Sequence, residues 1–186
     1  TIHEGVPGHY LPLALSNRYP SMLRSVLWSG PFVEGWAVYA EQVMIEAGYQ
    51  DNDPLQRLIT LKWYLRAVTN AIIDSAIHVD GMTRDQAMKL MVEGGFQEER
   101  EAAGKWIRAQ LTSAQLSTYF VGSLEMWDLE MEVRRRLAVA SGASSADVPA
   151  QQIRGGVGDS PVLTSVTGYQ FASNDLVIVD FIERVE

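Results

Sequence analysis

Ser29-Gly30-Pro31-Phe32-Val33-Glu34-Gly35-Trp36-Ala37-Val38-Tyr39-Ala40-Glu41 reads as the opening of a buried helix. A proline early in the segment suits a helix start, where the first N–H groups have no intrahelical acceptor. Val33, Trp36, Ala37 and Ala40 recur at the spacing of one helical face. Glu34 and Glu41 are seven residues apart, so both lie on one side of this helix, close to the apolar face. An acid there is costly unless it is paired or bound to metal. A first-turn acid favoured by the helix dipole is the competing account of Glu34.

The same rhythm extends outward. Helices are predicted over 32–48 and 53–78, the latter with Leu58, Leu61, Trp63, Leu65, Ile72 and Ile73 near helical spacing. Gly81 stops that helix, and Thr83-Arg84-Asp85-Gln86 reads as a capping box for one ending at Gly94-Gly95. A charged helix follows over 97–110. Thr112-Ser113-Ala114-Gln115 reads as a second capping box, opening a long helix to about Ala140. Ser141-Gly142-Ala143-Ser144-Ser145 reads as a loop, residues 150–172 are mixed, and 176–185 suit strand or helix equally. The expected fold class is all-α, with residues 1–142 as a helical, metal-binding region and 143–186 as an irregular segment of the same domain. The five tryptophans read as core or cleft wall.

Two of the three histidines fall in His3-Glu4-Gly5-Val6-Pro7-Gly8-His9. Paired imidazoles beside a carboxylate are the usual parts of a zinc-hydrolase site. In H-E-x-x-H the histidines are four residues apart, about 40° around the helix axis; here they are six apart, roughly 120°. A regular helix cannot aim both at one ion. Pro7 breaks the helical bonding and Gly8 accepts unusual dihedrals, so the segment reads as H-E-x-x-H with two residues looped out. A loop with incidental histidines is the plainer alternative. A catalytic zinc needs a further protein ligand, and Glu34 is the best downstream candidate. The segment continues into a helix to residue 17, with Pro12 as a second kink point.

These blocks, His3-Glu4-x-x-Pro7-Gly8-His9 and Glu34-Gly35-Trp36-Ala37-x-Tyr39-Ala40-Glu41, together resemble the bacterial family known as domain of unknown function 885. The resemblance continues through Asp74-x-x-x-His78-x-x-Gly81-Met82-Thr83 and Gln115-Leu116-Ser117-Thr118-Tyr119-Phe120-Val121-Gly122, over roughly residues 1 to 140. That family is grouped with the gluzincin metallopeptidases. The resemblance implies a gluzincin-like fold with zinc on His3, His9 and Glu34, Glu4 as general base, and a peptide or small amide as substrate. It also makes Tyr119 a candidate donor to the oxyanion, against the pattern-only reading of a core tyrosine. Asp74 and His78, one helical turn apart, are candidates for a carboxylate–histidine pair behind the metal or for a buried structural pair. Glu41 is a candidate for orienting a ligand.

At 186 residues and 47% hydrophobic the chain is one domain long and can bury a core. It begins at the edge of the metal motif, so we expect it to be the C-terminal, metal-bearing part of a longer chain. A net charge of -8 argues against nucleic acid as a partner. The lack of cysteine excludes disulfides and thiolate ligands. No apolar run is long enough to span a bilayer. Compartment and oligomeric state stay unassigned. A metal-binding or helical interaction scaffold without turnover, or a metallohydrolase of non-peptide amides or esters, fits the same residues.

Overall fold

The structure, a computed structural model, describes residues 2–18 and 22–148. Among these every regular element is helical: α1 (Tyr10–Ser16), α2 (Met22–Val26), α3 (Gly30–Glu46), α4 (Pro54–Val79), α5 (Arg84–Lys89), α6 (Glu99–Leu111) and α7 (Thr118–Ser141). The all-α expectation holds. The backbone forms two compact units that divide between Leu124 and Glu125, within α7.

In the first unit, α3 starts where its sequence directs. Ser29 is the N-cap and accepts a hydrogen bond from the Phe32 N–H, with Pro31 in the first turn. Val33, Trp36, Ala37, Val38, Tyr39 and Ala40 are all buried, so the apolar surface wraps round the helix instead of forming one stripe. A helix apolar on every side belongs in an interior. Glu34 and Glu41 are its half-buried acids.

Asp53 caps α4 by accepting from the Leu55 N–H at 2.9 Å. The helix ends as the Met82 N–H closes on the Ala76 carbonyl at 2.9 Å. Its second half carries the core: Ile73 packs with Ala87, Met91, Ala102, Ala109 and Leu116. Its first half differs from the sequence reading, because Leu58, Leu61 and Trp63 are exposed and their stripe points outward. Ile72 is exposed as well. The tryptophans divide likewise. Trp36 is buried and Trp106 packs on the core, but Trp28 and Trp63 are exposed.

The Thr83–Gln86 capping box forms with both reciprocal bonds. After α5 the chain passes through a π turn, Leu90–Gly94, and stops at Gly95. Gln97, expected to open the charged helix, is instead buried between two elements. It donates to the Thr69 hydroxyl and accepts from Lys105 Nζ, both at 2.8 Å. Glu101 pairs with Arg66 and lies 3.6 Å from Lys105 Nζ. Burial pushes Lys105 down to about 8, the Arg66 charge pushes the same way, and Glu101 only partly offsets them.

The second capping box does not form. The Thr112 hydroxyl turns back to the Arg108 carbonyl at 3.3 Å, and α7 starts only at Thr118. The open N–H groups of this turn find their acceptor on α4. Asp74, 2% exposed, accepts from Ala114 N–H at 3.2 Å, Ser117 N–H at 2.9 Å and the Ser117 hydroxyl at 2.8 Å.

Beyond Leu124, Val133, Ala138 and Val148 form a small apolar cluster. Arg134 pairs with Glu130, while Arg135 and Arg136 pair with Glu132 on the same helix. Most of the tail read as irregular over 143–186, including the strand-or-helix element at 176–185, lies outside the described residues. Among the described residues no helix is long and apolar enough to cross a membrane.

Candidate metal centre

The His3–His9 segment is a series of tight turns, and regular helix begins only at Tyr10. The Val6–Pro7 peptide is cis. Gly8 N–H donates to Ile2 O at 3.0 Å and His9 N–H to His3 O at 2.7 Å. An α-helix makes this bond between residues four apart. Here it spans six, so two residues are looped out and His9 is bonded to His3 as the second histidine of a regular H-E-x-x-H helix would be. A Cβ on Gly8 would lie 1.9 Å from the His3 carbonyl oxygen and 2.2 Å from that of Ile2, so only glycine fits. The Trp36 indole N–H donates to Pro7 O at 2.7 Å and fastens the turn to α3. The two-residue loop-out read from Pro7 and Gly8 is the local backbone observed. Pro12 falls in the first turn of α1, where its missing N–H is no loss, so the kink expected there has no cause.

Glu34 Oε2 lies 3.4 Å from His9 Nε2 and 3.9 Å from His3 Nε2. The two rings are edge to face, 4.8 Å apart at 88°. Ligands at zinc's usual bond lengths sit about 3.4 Å from one another in a tetrahedron. The two Glu34–imidazole separations are close to that value. His3, Glu4 and His9 form a second possible triad, whose ligand atoms lie within 4.8 Å of one another. In the Glu34 set one oxygen approaches both Nε2 atoms, whereas Glu4 is exposed to solvent.

Glu41, two turns beyond Glu34, places Oε1 3.2 Å from His3 Nδ1. In neutral His3 this contact selects the tautomer in which Nδ1–H donates to Glu41, leaving the Nε2 lone pair toward Glu34. Burial alone would lower the His3 pKa. The hydrogen bond to Glu41 and the charges of Glu41, Glu4 and Glu34 outweigh it and raise the value above the usual range. His9 Nδ1 is buried with no hydrogen-bond partner. Two imidazole nitrogens facing one carboxylate, all partly desolvated, are groups that could hold a cation.

The other predicted site residues make their contacts with α6 and with the turn into α7. Asp74 holds the turn into α7. His78 Nε2 is 2.9 Å from the Ala109 carbonyl at the end of α6 and 3.8 Å from Asp74 Oδ1. The partners of this pair are thus the α6–α7 connection. Tyr119 is the second residue of α7, and its hydroxyl accepts from Arg108 Nη2 at 3.4 Å.

The feature that sequence reasoning missed is the seam joining α3 to the start of α7. A Cβ on Gly35 would lie 2.1 Å from the Gly122 carbonyl carbon, and one on Gly122 only 1.9 Å from Pro31 O. The two backbones touch there, one residue after Glu34 and one turn after Tyr119. A glycine inside each helix, costing about 0.5–1 kcal/mol relative to alanine, was the available signal.

Residues 1–145 match the model of a family described as "Bacterial protein of unknown function (DUF885)". The chain is similar to two solved structures. One is described as "a putative lipoprotein of unknown function from Shewanella oneidensis", with 37% identity and a TM-score of 0.75. The other is described as "the putative lipoprotein from Colwellia psychrerythraea", with 29% identity and a TM-score of 0.70. The matches cover 99% and 78% of this chain but only 30% and 25% of those two chains. No curated protein matches.

Proposed function

We propose a hydrolytic metal site on this premise: the chain belongs to the DUF885 family of bacterial proteins. The reading is a zinc-dependent hydrolase of gluzincin type, acting on peptide or related amide bonds. The observation that carries it is the approach of one Glu34 oxygen to both His3 and His9 Nε2, with Glu41 behind His3.

His3, His9 and Glu34 would hold the ion. Zinc held there would supply Lewis acidity and bring the pKa of water down toward neutrality. Glu4, exposed beside the two imidazoles, takes the proton of the attacking water on its carboxylate and passes it to the leaving amine. Glu41 keeps His3 in the tautomer and orientation that presents Nε2. The Tyr119 hydroxyl donates a hydrogen bond to the oxygen that gains charge as the carbonyl is attacked.

The test is zinc titration beside peptide hydrolysis. Wild type and Glu4→Gln should each bind one zinc, with hydrolysis lost only in Glu4→Gln, and His9→Ala should lose zinc. Absence of zinc binding, or unchanged hydrolysis by Glu4→Gln, overturns the reading. A metal-binding scaffold without turnover draws support from the small share of the solved relatives that this chain spans. Stoichiometric zinc without cleavage across a broad peptide library would favour it. Cleavage of esters or non-peptide amides alone would favour the third possibility.

A further inference from the structure

We propose that Arg108, beside Tyr119, is a carboxylate-binding residue, so that the substrate is a peptide recognised by its free C-terminus. This deepens the preceding reading and rests on it.

Arg108 stands in the last turn of α6, with an exposed side chain. Its Nη2 is 2.8 Å from Gln115 Oε1 and 3.4 Å from the Tyr119 hydroxyl. Both partners are neutral oxygens, and Nε and Nη1 have no partner among the described residues. Nearby cations are placed differently: Arg66 pairs with Glu101, and Lys105 lies between Gln97 and Glu101. In a chain of net charge -8, a guanidinium held in place by neutral groups and left without an acid is prepared for an incoming anion.

Its location gives that anion a meaning. Gly122 packs on Pro31 and Gly35, and a Cβ on Gly30 would lie 3.3 Å from Thr118. The start of α7 is therefore fixed against the stretch of α3 that carries Glu34. Tyr119 belongs to this first turn, and Arg108 touches Tyr119. A carboxylate on Arg108 would sit next to the group assigned to the reacting carbonyl, as the terminal carboxylate of the residue being released would. One arginine with two neutral neighbours suits a monoanion better than a phosphate dianion.

The probes are N-acetyl-alanyl-phenylalanine and its C-terminal amide. Their binding is measured calorimetrically to the full chain carrying Glu4→Gln, with zinc supplied. We expect the free acid to bind at least roughly tenfold more tightly than the amide, the worth of a charge-assisted hydrogen bond. Arg108→Gln should erase the preference, and Arg108→Lys should keep part of it, retaining charge without the planar fork. Equal binding of acid and amide, or a preference that survives Arg108→Gln, overturns the assignment. Zinc stoichiometry is read separately. A chain that took up no zinc yet still preferred the acid through Arg108 would overturn the metal reading and support the carboxylate contact.

Discussion

Replacing Gly8 by alanine adds one methyl group at the point where the metal turn closes. That methyl would stand 1.9 Å from His3 O and 2.2 Å from Ile2 O, both backbone atoms that cannot swing aside. The turn must open, which breaks the Gly8 N–H bond to Ile2 O and the His9 N–H bond to His3 O. Each bond is worth about 0.5–1.5 kcal/mol and overpacking costs about 1–3 kcal/mol, together about 2–6 kcal/mol against the closed turn. Because that turn holds both imidazoles, the penalty falls on metal affinity. At about 1.4 kcal/mol per tenfold, zinc should bind roughly 30-fold to 20,000-fold more weakly. The assay is zinc titration in competition with a chelating dye. Gly104→Ala is the control, since a Cβ there meets nothing within 4 Å and should leave affinity unchanged. Gly8→Ala protein that bound zinc within about twofold of wild type would refute the argument that backbone closure builds the site.

Glu41→Gln should lower zinc affinity by roughly 10–100-fold through loss of the carboxylate behind His3, and undiminished affinity would remove Glu41 from the site. Asp74→Ala leaves the Ala114 and Ser117 N–H groups without their acceptor, and should cost about 2–4 kcal/mol of stability by denaturant titration while zinc stoichiometry is kept. Unchanged stability would show that the turn into α7 holds itself. Lys105 is held down to about 8 against an ordinary 10.5, so the unfolded chain binds this proton more tightly than the folded one. Folding is penalised below about pH 8 and the penalty is relieved as pH rises toward about 10.5, by up to about 3 kcal/mol. Denaturation midpoints of wild type and Lys105→Met across that window should diverge in slope, and parallel curves would count against a buried charge.

What the sequence disclosed depended on how far apart the interacting residues lie along it. Ser29 with Pro31 and Thr83 with Gln86 each encode a helix start within four residues, and both formed. The His3–His9 turn was legible for the same reason, because Pro7 and Gly8 are the residues that must depart from helix. The reading failed where a distant residue satisfies a local need. Thr112–Gln115 has the composition of a capping box, yet Asp74, some forty residues earlier, supplies the acceptor and the helix starts later. Gln97 was likewise taken from a helix start by Thr69 and Lys105. Periodicity told that α4 is a helix without telling which face is covered, since Leu58 and Ile73 contribute equally to the pattern but only Ile73 is buried.

The proposed chemistry divides along the same line. His3, His9, Glu34 and Glu41 are brought together by turn bonds within residues 2–10, by the Trp36 indole and by two turns of α3. Nothing in that list comes from beyond residue 41. Tyr119 and Arg108 depend instead on the glycine seam and on Asp74, contacts made across tens of residues of chain. A helix packing error in α4 or α6 would therefore displace the groups assigned to the substrate while sparing those assigned to the metal. Retained zinc affinity is for that reason a weak index of the groups assigned to the substrate, on which the free-acid preference assigned to Arg108 reports directly.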